Sequence, residues 1–124
     1  MYGRLDILIM AAGTGDRDTP IDNTPVDAWR KVMDVTNLGM FLGTRSVIGA
    51  MRDSGGGSIV LISSMMAKVV RESANAYATS RAGMTHFARS AAVQYGADTI
   101  RVNTVLPGWA FPTFTSAYFA EERL

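Results

Sequence analysis

The chain has 124 residues, of which 48% are hydrophobic and 19% are charged, and its formal net charge is +1 at pH 7. This composition excludes a disordered chain, and the small net charge gives no electrostatic footprint for nucleic acid or an anionic membrane surface. With no Cys, the chain can form no disulfide, no thiolate zinc site and no Cys nucleophile. Its apolar runs are too short to span a bilayer, and no signal-peptide pattern opens the sequence. We therefore expect a single cytoplasmic domain over residues 1–124, without a metal site.

Three short apolar runs are predicted to be β-strands. They lie at 5–13, 58–64 and 100–106, and the sequence Pro-Gly stops the third. The first two lack polar alternation at their centres, which is typical of strands buried on both faces of a parallel sheet. The third run is partly alternating, which favours a place nearer the edge of the sheet.

The first of two long helical segments is predicted over 24–52. It opens with an N-cap hydroxyl from Thr24, a first-turn Pro25 and a carboxylate from Asp27, and a Ser-Gly-Gly-Gly run follows its end. Asn37 and a nearby glycine lie in its middle. Both are poor helix formers, so we expect a bend there.

The second helix is predicted over 73–95, with Gly96 as its C-terminal stop. The order is then β-α-β-α-β, with connections long enough for parallel pairing, and this predicts one α/β unit. Both crossovers should be right-handed, so strands in sequential order would place both helices on one face of the sheet. The other face, also apolar, must then be covered by another chain, a further segment or the C-terminal tail.

Ser64, Tyr77 and Arg81 form the most informative cluster of polar residues. Tyr77 and Arg81 are four residues apart on a predicted helix, so their side chains share a face. A guanidinium beside a phenol favours the phenolate form, which a Tyr needs to serve as a general acid/base. Ser64 leaves the carboxyl end of the second strand, where open α/β sheets place their ligands, and could bond a substrate oxygen. Taken alone, the spacing is common, and an ordinary surface Tyr–Arg pair with a turn serine is the simpler interpretation.

Several segments that occur together in order favour the functional interpretation over the simpler one. They are Asn-Leu-Gly-Met-Phe at 37–41, the strand at 57–64, the interval of thirteen residues from Ser64 to Tyr77, and Arg-Val-Asn-Thr-Val-Leu-Pro-Gly at 101–108. Together they resemble the short-chain dehydrogenase/reductase family, over residues 3 to about 115. The match is to the second half of that family, from its fourth strand through its sixth. The resemblance implies a partial Rossmann-like, doubly wound parallel sheet with a C-terminal tail.

The same resemblance implies an oxidoreductase that moves a hydride between a nicotinamide cofactor, NAD or NADP, and a small-molecule carbonyl or secondary alcohol. Tyr77 corresponds to the family's general acid/base, and Ser64 to the serine that holds the same oxygen. Asn37 corresponds to the asparagine that bends its helix and positions a water in a proton relay. Arg81 stands where the family has a Lys four residues after the Tyr. Tyr77 and Arg81 are also implied to contact the cofactor.

Four further positions correspond to the family's cofactor contacts. Gly13 lets the backbone approach a cofactor sugar, and Pro107 with Gly108 forms the turn that borders the nicotinamide. Thr113, one residue later than usual, corresponds to the threonine that binds the carboxamide.

Three departures from the family pattern bear on chemistry. Arg81 keeps the positive charge of the family's Lys, but it is bulkier and does not give up its proton, so a relay through this residue should stall. Met10 replaces an Asn that ties neighbouring strands in the family, which we interpret as a change in stability. The Gly-x-x-x-Gly-x-Gly motif of the family's first βαβ unit has no counterpart, and Gly13-Thr14-Gly15 is predicted to be a loop.

The alternative function is that of a truncated, catalytically impaired relative that acts as an oligomerisation module. In the family the two long helices form much of the dimer interface, so the segments 24–52 and 73–95 are implied to pair in a homo-oligomer. His86 lies nine residues beyond Tyr77, roughly on the opposite side of the helix, and is expected at the surface. Met65 and Met66 are candidates for lining an apolar substrate pocket.

Overall fold

Three strands and three α-helices alternate along the described part of the chain, residues 3–15, 19–72 and 74–109 of the computed structural model. In chain order they are β1 (Ile7–Met10), α1 (Val26–Met33), α2 (Gly39–Asp53), β2 (Gly57–Ile62), α3 (Asn75–Tyr95) and β3 (Ile100–Val105). The predicted β-α-β-α-β order is confirmed. The first strand is shorter than the predicted 5–13, because the residues after Met10 leave the sheet as a loop.

The three strands form one parallel sheet in the order β1-β2-β3. Leu8 pairs with Ile59, and Ile59 in turn pairs with Val102, so the apolar centres of the strands lie side by side. Within the described residues β3 pairs with β2 alone, as the alternation in its sequence predicts. This is the partial Rossmann-like arrangement that the sequence predicts.

One face of the sheet carries the hydrophobic core. Ile59, Leu61 and Ile100 are fully buried there, and they pack with Met51 from α2 and Met84 from α3. Side chains alternate across a strand, so every second residue of each strand contributes to this face. Burial of these large side chains stabilises the fold by about 1.5–3 kcal/mol each.

The opposite face of the sheet is largely exposed and carries apolar side chains from all three strands, together with Arg101 and Asn103 of β3. Ile7 and Ile9 of β1 are 60% and 61% exposed, and Val105 of β3 is 49% exposed, while Val60 and Ile62 of β2 are half-buried. Strands in sequential order with both crossovers on one side produce this result, as predicted. We refer to the surface formed by Ile7, Ile9, Val60, Ile62 and Val105 as the open sheet face.

The start of the first helix differs from the prediction. Helix α1 begins at Val26 with Pro25 in the N-cap position, and no side chain caps it. Thr24 lies one residue before the N-cap position and so does not cap the helix; its hydroxyl donates to the carbonyl of Pro20, at 2.9 Å, across the short 3-10 turn Ile21–Asn23. The predicted Thr24 N-cap was therefore wrong, and Asp27 is the second helical residue rather than the third.

The predicted bend in the first long helix is present as a π-helical turn. The segment Asp34–Leu38, which contains Asn37, separates α1 from α2. A π-helical turn inserts an extra residue and changes the direction of the side chains that follow. The second long helix, α3, ends at Tyr95, and Gly96 continues into a 3-10 turn, Gly96–Asp98. Within the described ranges, no helix has both the length and the apolar character needed to cross a bilayer.

Candidate active site

The carboxyl ends of β2 and β3 are joined directly. The backbone N–H of Met65, three residues past β2, donates to the carbonyl of Pro107, two residues past β3, at 2.9 Å. A Cβ added to Gly108 would lie 3.6 Å from the Met65 sulfur, which is ordinary contact. The structure therefore brings Ser64 and the Pro107–Gly108 turn to one edge of the sheet, where parallel α/β folds bind ligands.

Two adjacent serines after β2 have different hydrogen-bonding roles. Ser63 is buried; its hydroxyl donates to the carbonyl of Arg81 at 2.9 Å and lies 3.1 Å from the hydroxyl of Thr85. Ser64 is also buried, but its hydroxyl oxygen accepts from the N–H of Met66 at 3.2 Å. No acceptor for the Ser64 hydroxyl proton lies among the described residues. Ser64 can therefore donate to a bound oxygen, whereas the Ser63 hydroxyl already donates to a backbone carbonyl of α3.

The predicted proximity of Tyr77 and Arg81 is confirmed on the first turns of α3. The Cζ of Arg81 lies 4.8 Å from the centre of the Tyr77 ring, which is a cation–π distance. Nη1 of Arg81 donates to the carbonyl of Ile62, the last residue of β2, at 2.8 Å. Arg81 is 7% exposed, so its charge lies out of bulk water beside the phenol.

The loop after β1 packs on this pair. A Cβ added to Gly13 would overlap Nη2 of Arg81 and lie 3.0 Å from its Cζ, so the guanidinium occupies the space that any other residue at 13 would need. A Cβ added to Gly15 would meet Cδ2 of Tyr77 at 3.9 Å, an ordinary contact. The first cofactor position named from the family, Gly13, is thus in contact with Arg81.

The π-helical segment also contacts α3 near Arg81. Nδ2 of Asn37 donates to the backbone carbonyl of Ser80 at 3.1 Å, and the lack of a side chain at Gly83 allows this approach. The other amide atom, Oδ1 of Asn37, is buried and has no hydrogen-bond partner among the described residues. An unsatisfied buried acceptor is costly, so this oxygen is a place for a water or a ligand donor.

Two other residues singled out from the sequence are Thr113 and His86. Thr113 lies outside the described residues. His86 is exposed, as predicted. Arg71, in the loop after β2, lies over the Trp109 ring at 5.7 Å, which links that loop to the turn after β3. Sequence reasoning missed this contact, although the aromatic residue directly after the Pro-Gly turn was a signal for it.

Two polar groups of the candidate site keep an unused hydrogen-bonding capacity within the described part of the chain. The unused hydroxyl proton of Ser64 and the unpartnered Asn37 Oδ1 are polar groups that a bound polar molecule or a water would satisfy. Pro107 and Gly108 lie at the same edge. Within the same ranges, no group of three or more His, Cys, Asp or Glu side chains could hold a metal ion.

The parallel sheet and its helical connections define an α/β protein of the Rossmann-like class. A serine, a tyrosine and a cation lie at the carboxyl edge of this sheet. Comparison with known proteins identifies the family: a model of the short chain dehydrogenases matches residues 1–123. The chain belongs to the short-chain dehydrogenase/reductase family, as the sequence motifs predict.

Individual relatives agree with this assignment. The chain is 37% identical over 122 residues to cis-4-hydroxycyclohexanecarboxylate dehydrogenase of Sinomonas cyclohexanicum, covering 98% of this chain and 49% of that protein. A short-chain dehydrogenase/reductase from Mycobacterium ulcerans superposes with a TM-score of 0.91 at 30% identity, over 94% of this chain and 42% of the other. A 7α-hydroxysteroid dehydrogenase, complexed with NADH and 7-oxo glycochenodeoxycholic acid, gives a TM-score of 0.80 at 33% identity, over 86% and 41%. The chain thus spans about half the length of the curated relatives that it matches.

Proposed function

We propose that this chain carries the catalytic residues of an NAD- or NADP-dependent oxidoreductase that interconverts a secondary alcohol and a carbonyl. The observation that carries the proposal is the Arg81 guanidinium over the Tyr77 ring at 4.8 Å, together with the unused hydroxyl proton of Ser64. These groups meet the two needs of carbonyl reduction, which are a donor for the substrate oxygen and a phenol that exchanges a proton with it.

Each described residue has a role in this proposal. Ser64 donates a hydrogen bond to the substrate oxygen, and the Tyr77 hydroxyl transfers a proton to that oxygen or takes one from it. Arg81 places a positive charge beside the phenol, with its Cζ 4.8 Å from the ring centre. Asn37 holds a water through its unpartnered Oδ1. An arginine does not give up its proton, so in this proposal the proton relay does not pass through the guanidinium of Arg81.

The nicotinamide, when bound, supplies or accepts the hydride. In the proposal Pro107 and Gly108 border it, Thr113 binds its carboxamide, and Gly13, Tyr77 and Arg81 contact the attached sugar. The substrate is a small molecule with a secondary alcohol or its carbonyl, a class to which the substrate named for the Sinomonas relative belongs. The partly buried Met65 and Met66, directly after Ser64, provide an apolar wall for it.

The test is cofactor binding followed by turnover in the purified chain. NADH and NADPH are titrated by fluorescence, and carbonyl-dependent oxidation is followed with alicyclic ketones as probes. We expect Tyr77→Phe to lower the rate about 100-fold or more. Tyr95→Phe is the matched control, because Tyr95 is also on α3 and also lies under an arginine, with Arg52 at 5.4 Å. An unchanged rate in Tyr77→Phe refutes the mechanism, and no binding at about millimolar cofactor refutes catalysis by the chain alone.

We also propose that the chain forms a homo-oligomer through the segments 24–52 and 73–95, which is the alternative function if turnover is absent. The supporting observation is a groove between α2 and α3 with exposed aromatic and aliphatic side chains. Phe41 of α2 lines this groove and is 43% exposed, and Leu42, its neighbour in α2 outside the groove, is 49% exposed. Sedimentation velocity on Phe41→Ser should show a smaller species than the unchanged chain. Ile9→Ser, on the open sheet face, is the control, and dissociation by this variant alone would place the interface on the sheet instead.

A further inference from the structure

We propose that Gly13 and Arg81 form an interdependent pair that positions Tyr77: the guanidinium is fixed between Gly13 and the Ile62 carbonyl, and the tyrosine ring is held against it. Position 13 must be glycine because the guanidinium of Arg81 occupies the space that a Cβ would need. The proposal deepens the proposed function, on which it rests for the role of Tyr77, but its physical content can be tested without turnover.

The guanidinium of Arg81 is held on several sides. It is 7% exposed, and Nη1 is bonded to the Ile62 carbonyl at 2.8 Å. Its Cζ lies over the ring of Tyr77, 4.8 Å from the ring centre. No carboxylate among the described residues lies within ion-pair distance of it. Among the described residues the guanidinium thus has the Ile62 carbonyl and the ring face as its partners, while its buried Nε has none, so loss of either contact is costly.

Gly13 closes the remaining side. A Cβ at this position would overlap Nη2 of Arg81 and lie 3.0 Å from Cζ and 3.2 Å from Nη1. The backbone of Gly13 is not in the left-handed region, because the described glycines with positive φ are Gly3, Gly55 and Gly56. Alanine at 13 is therefore compatible with the backbone, and the guanidinium is the close obstacle to it.

The cost of a Cβ at position 13 depends on how freely the guanidinium of Arg81 can move away from it. The free end of a flexible arginine would swing away from a new methyl group at little cost. Here the movement would break the bond to Ile62 and remove the charge from the face of Tyr77. Because a guanidinium spreads its donors over a planar group, Nη1 can bond the strand end while Cζ stays over the ring and Nη2 faces Gly13. Arg81 is thus a positioning residue as well as a source of charge.

A double-mutant cycle tests the pair in the full chain. We expect Gly13→Ala to lower the midpoint of thermal unfolding by about 4–8 °C. Gly15→Ala is the matched control on the same loop, since its Cβ would make only an ordinary contact, at 3.9 Å, with Tyr77; its shift should stay below about 2 °C. In an Arg81→Lys background, Gly13→Ala should cost no more than the Gly15→Ala control. Equal losses with and without the Arg81→Lys substitution would overturn the proposal.

Two spectroscopic measurements separate positioning from simple stability. In the unchanged chain labelled with ¹⁵N-arginine, the Nη protons of Arg81 should give separate, slowly exchanging signals, because the group is bonded and buried. In chain labelled on tyrosine, Gly13→Ala should shift the ring resonances of Tyr77, and Gly15→Ala should shift them less. Averaged Nη signals in the unchanged chain, or Tyr77 resonances that Gly13→Ala leaves in place, would contradict it. An additive cycle with Tyr77→Phe still inactive would reject the pair alone, and a coupled cycle without cofactor binding would reject only the function.

Discussion

The adjacent serines after β2 allow a prediction in which stability and activity move in opposite directions. Ser63→Ala removes a buried hydroxyl that bonds the Arg81 carbonyl at 2.9 Å and lies 3.1 Å from the Thr85 hydroxyl. Thr85 keeps its own bond to the same carbonyl at 3.0 Å, so no acceptor is left without a partner. The expected cost is therefore one buried hydrogen bond, about 1–1.5 kcal/mol, or about 5 °C in the unfolding midpoint.

Ser64→Ala should cost less stability than Ser63→Ala and more activity. Its hydroxyl accepts one bond, at 3.2 Å, from the N–H of Met66 in a short 3-10 turn, so the expected cost is below about 1 kcal/mol. Thermal unfolding by circular dichroism measures both variants, and carbonyl-dependent oxidation of NADH or NADPH measures the function. We expect Ser63→Ala to be the less stable and the more active of the two. A Ser64→Ala chain that is both the less stable and fully active would refute the division of roles between these serines.

Three further changes test the fold. Leu61→Ala, at a fully buried site, should lower the free energy of unfolding by about 2–5 kcal/mol in denaturant titrations. Val60→Ala, on the open sheet face, is the control and should lower it by about 1 kcal/mol. Equal losses would contradict a core on one face of the sheet. Arg52→Ala removes an ion pair with Asp98 at 2.8 Å that is largely exposed, so the loss should stay below about 1 kcal/mol and shrink as salt is added; a larger, salt-independent loss would show a packing role for the side chain. Ile9→Ser replaces a residue that is 61% exposed, so it should leave the unfolding midpoint nearly unchanged and reduce the binding of a hydrophobic dye; undiminished dye binding would mean that the open sheet face is covered in solution.

Given strands in sequential order, the covered and the open face of the sheet could be predicted from the sequence, because they follow from local patterns and handedness; the order β1-β2-β3 itself comes from the structure. Continuous apolar runs indicate strands buried on both faces, and right-handed crossovers then place both helices on one side. The Thr24 cap was predicted wrongly because helix α1 begins at Val26, one residue later than the Thr-Pro pattern indicates, and such a pattern does not fix a helix boundary to the residue. The π-helical turn around Asn37 was predicted only as a bend, since helical periodicity does not distinguish the two.

The site was predictable to a similar extent. The pairing of Tyr77 with Arg81 follows from their spacing on a helix, and the place of Ser64 follows from the rule that ligands lie at the carboxyl ends of parallel strands. The approach of Gly13 to Arg81 depends on how the loop after β1 packs against α3, and no local pattern encodes that distance. The Ile62 carbonyl is a backbone acceptor and gives no signal in a sequence.

Three hydrogen bonds from two elements hold the helical turn that carries Ser80 and Arg81, and this supports the role proposed for the tyrosine one turn earlier. Asn37 of the π-helical segment donates to the Ser80 carbonyl at 3.1 Å, and Ser63 donates to the Arg81 carbonyl at 2.9 Å. The Arg81 side chain donates in the opposite sense, to the carbonyl of the last residue of β2, at 2.8 Å. These bonds join the π-helical segment and the carboxyl end of β2 to a single turn of α3. A side chain held by such a turn loses little further freedom when a substrate binds, which is the preorganisation that proton transfer at a fixed oxygen requires.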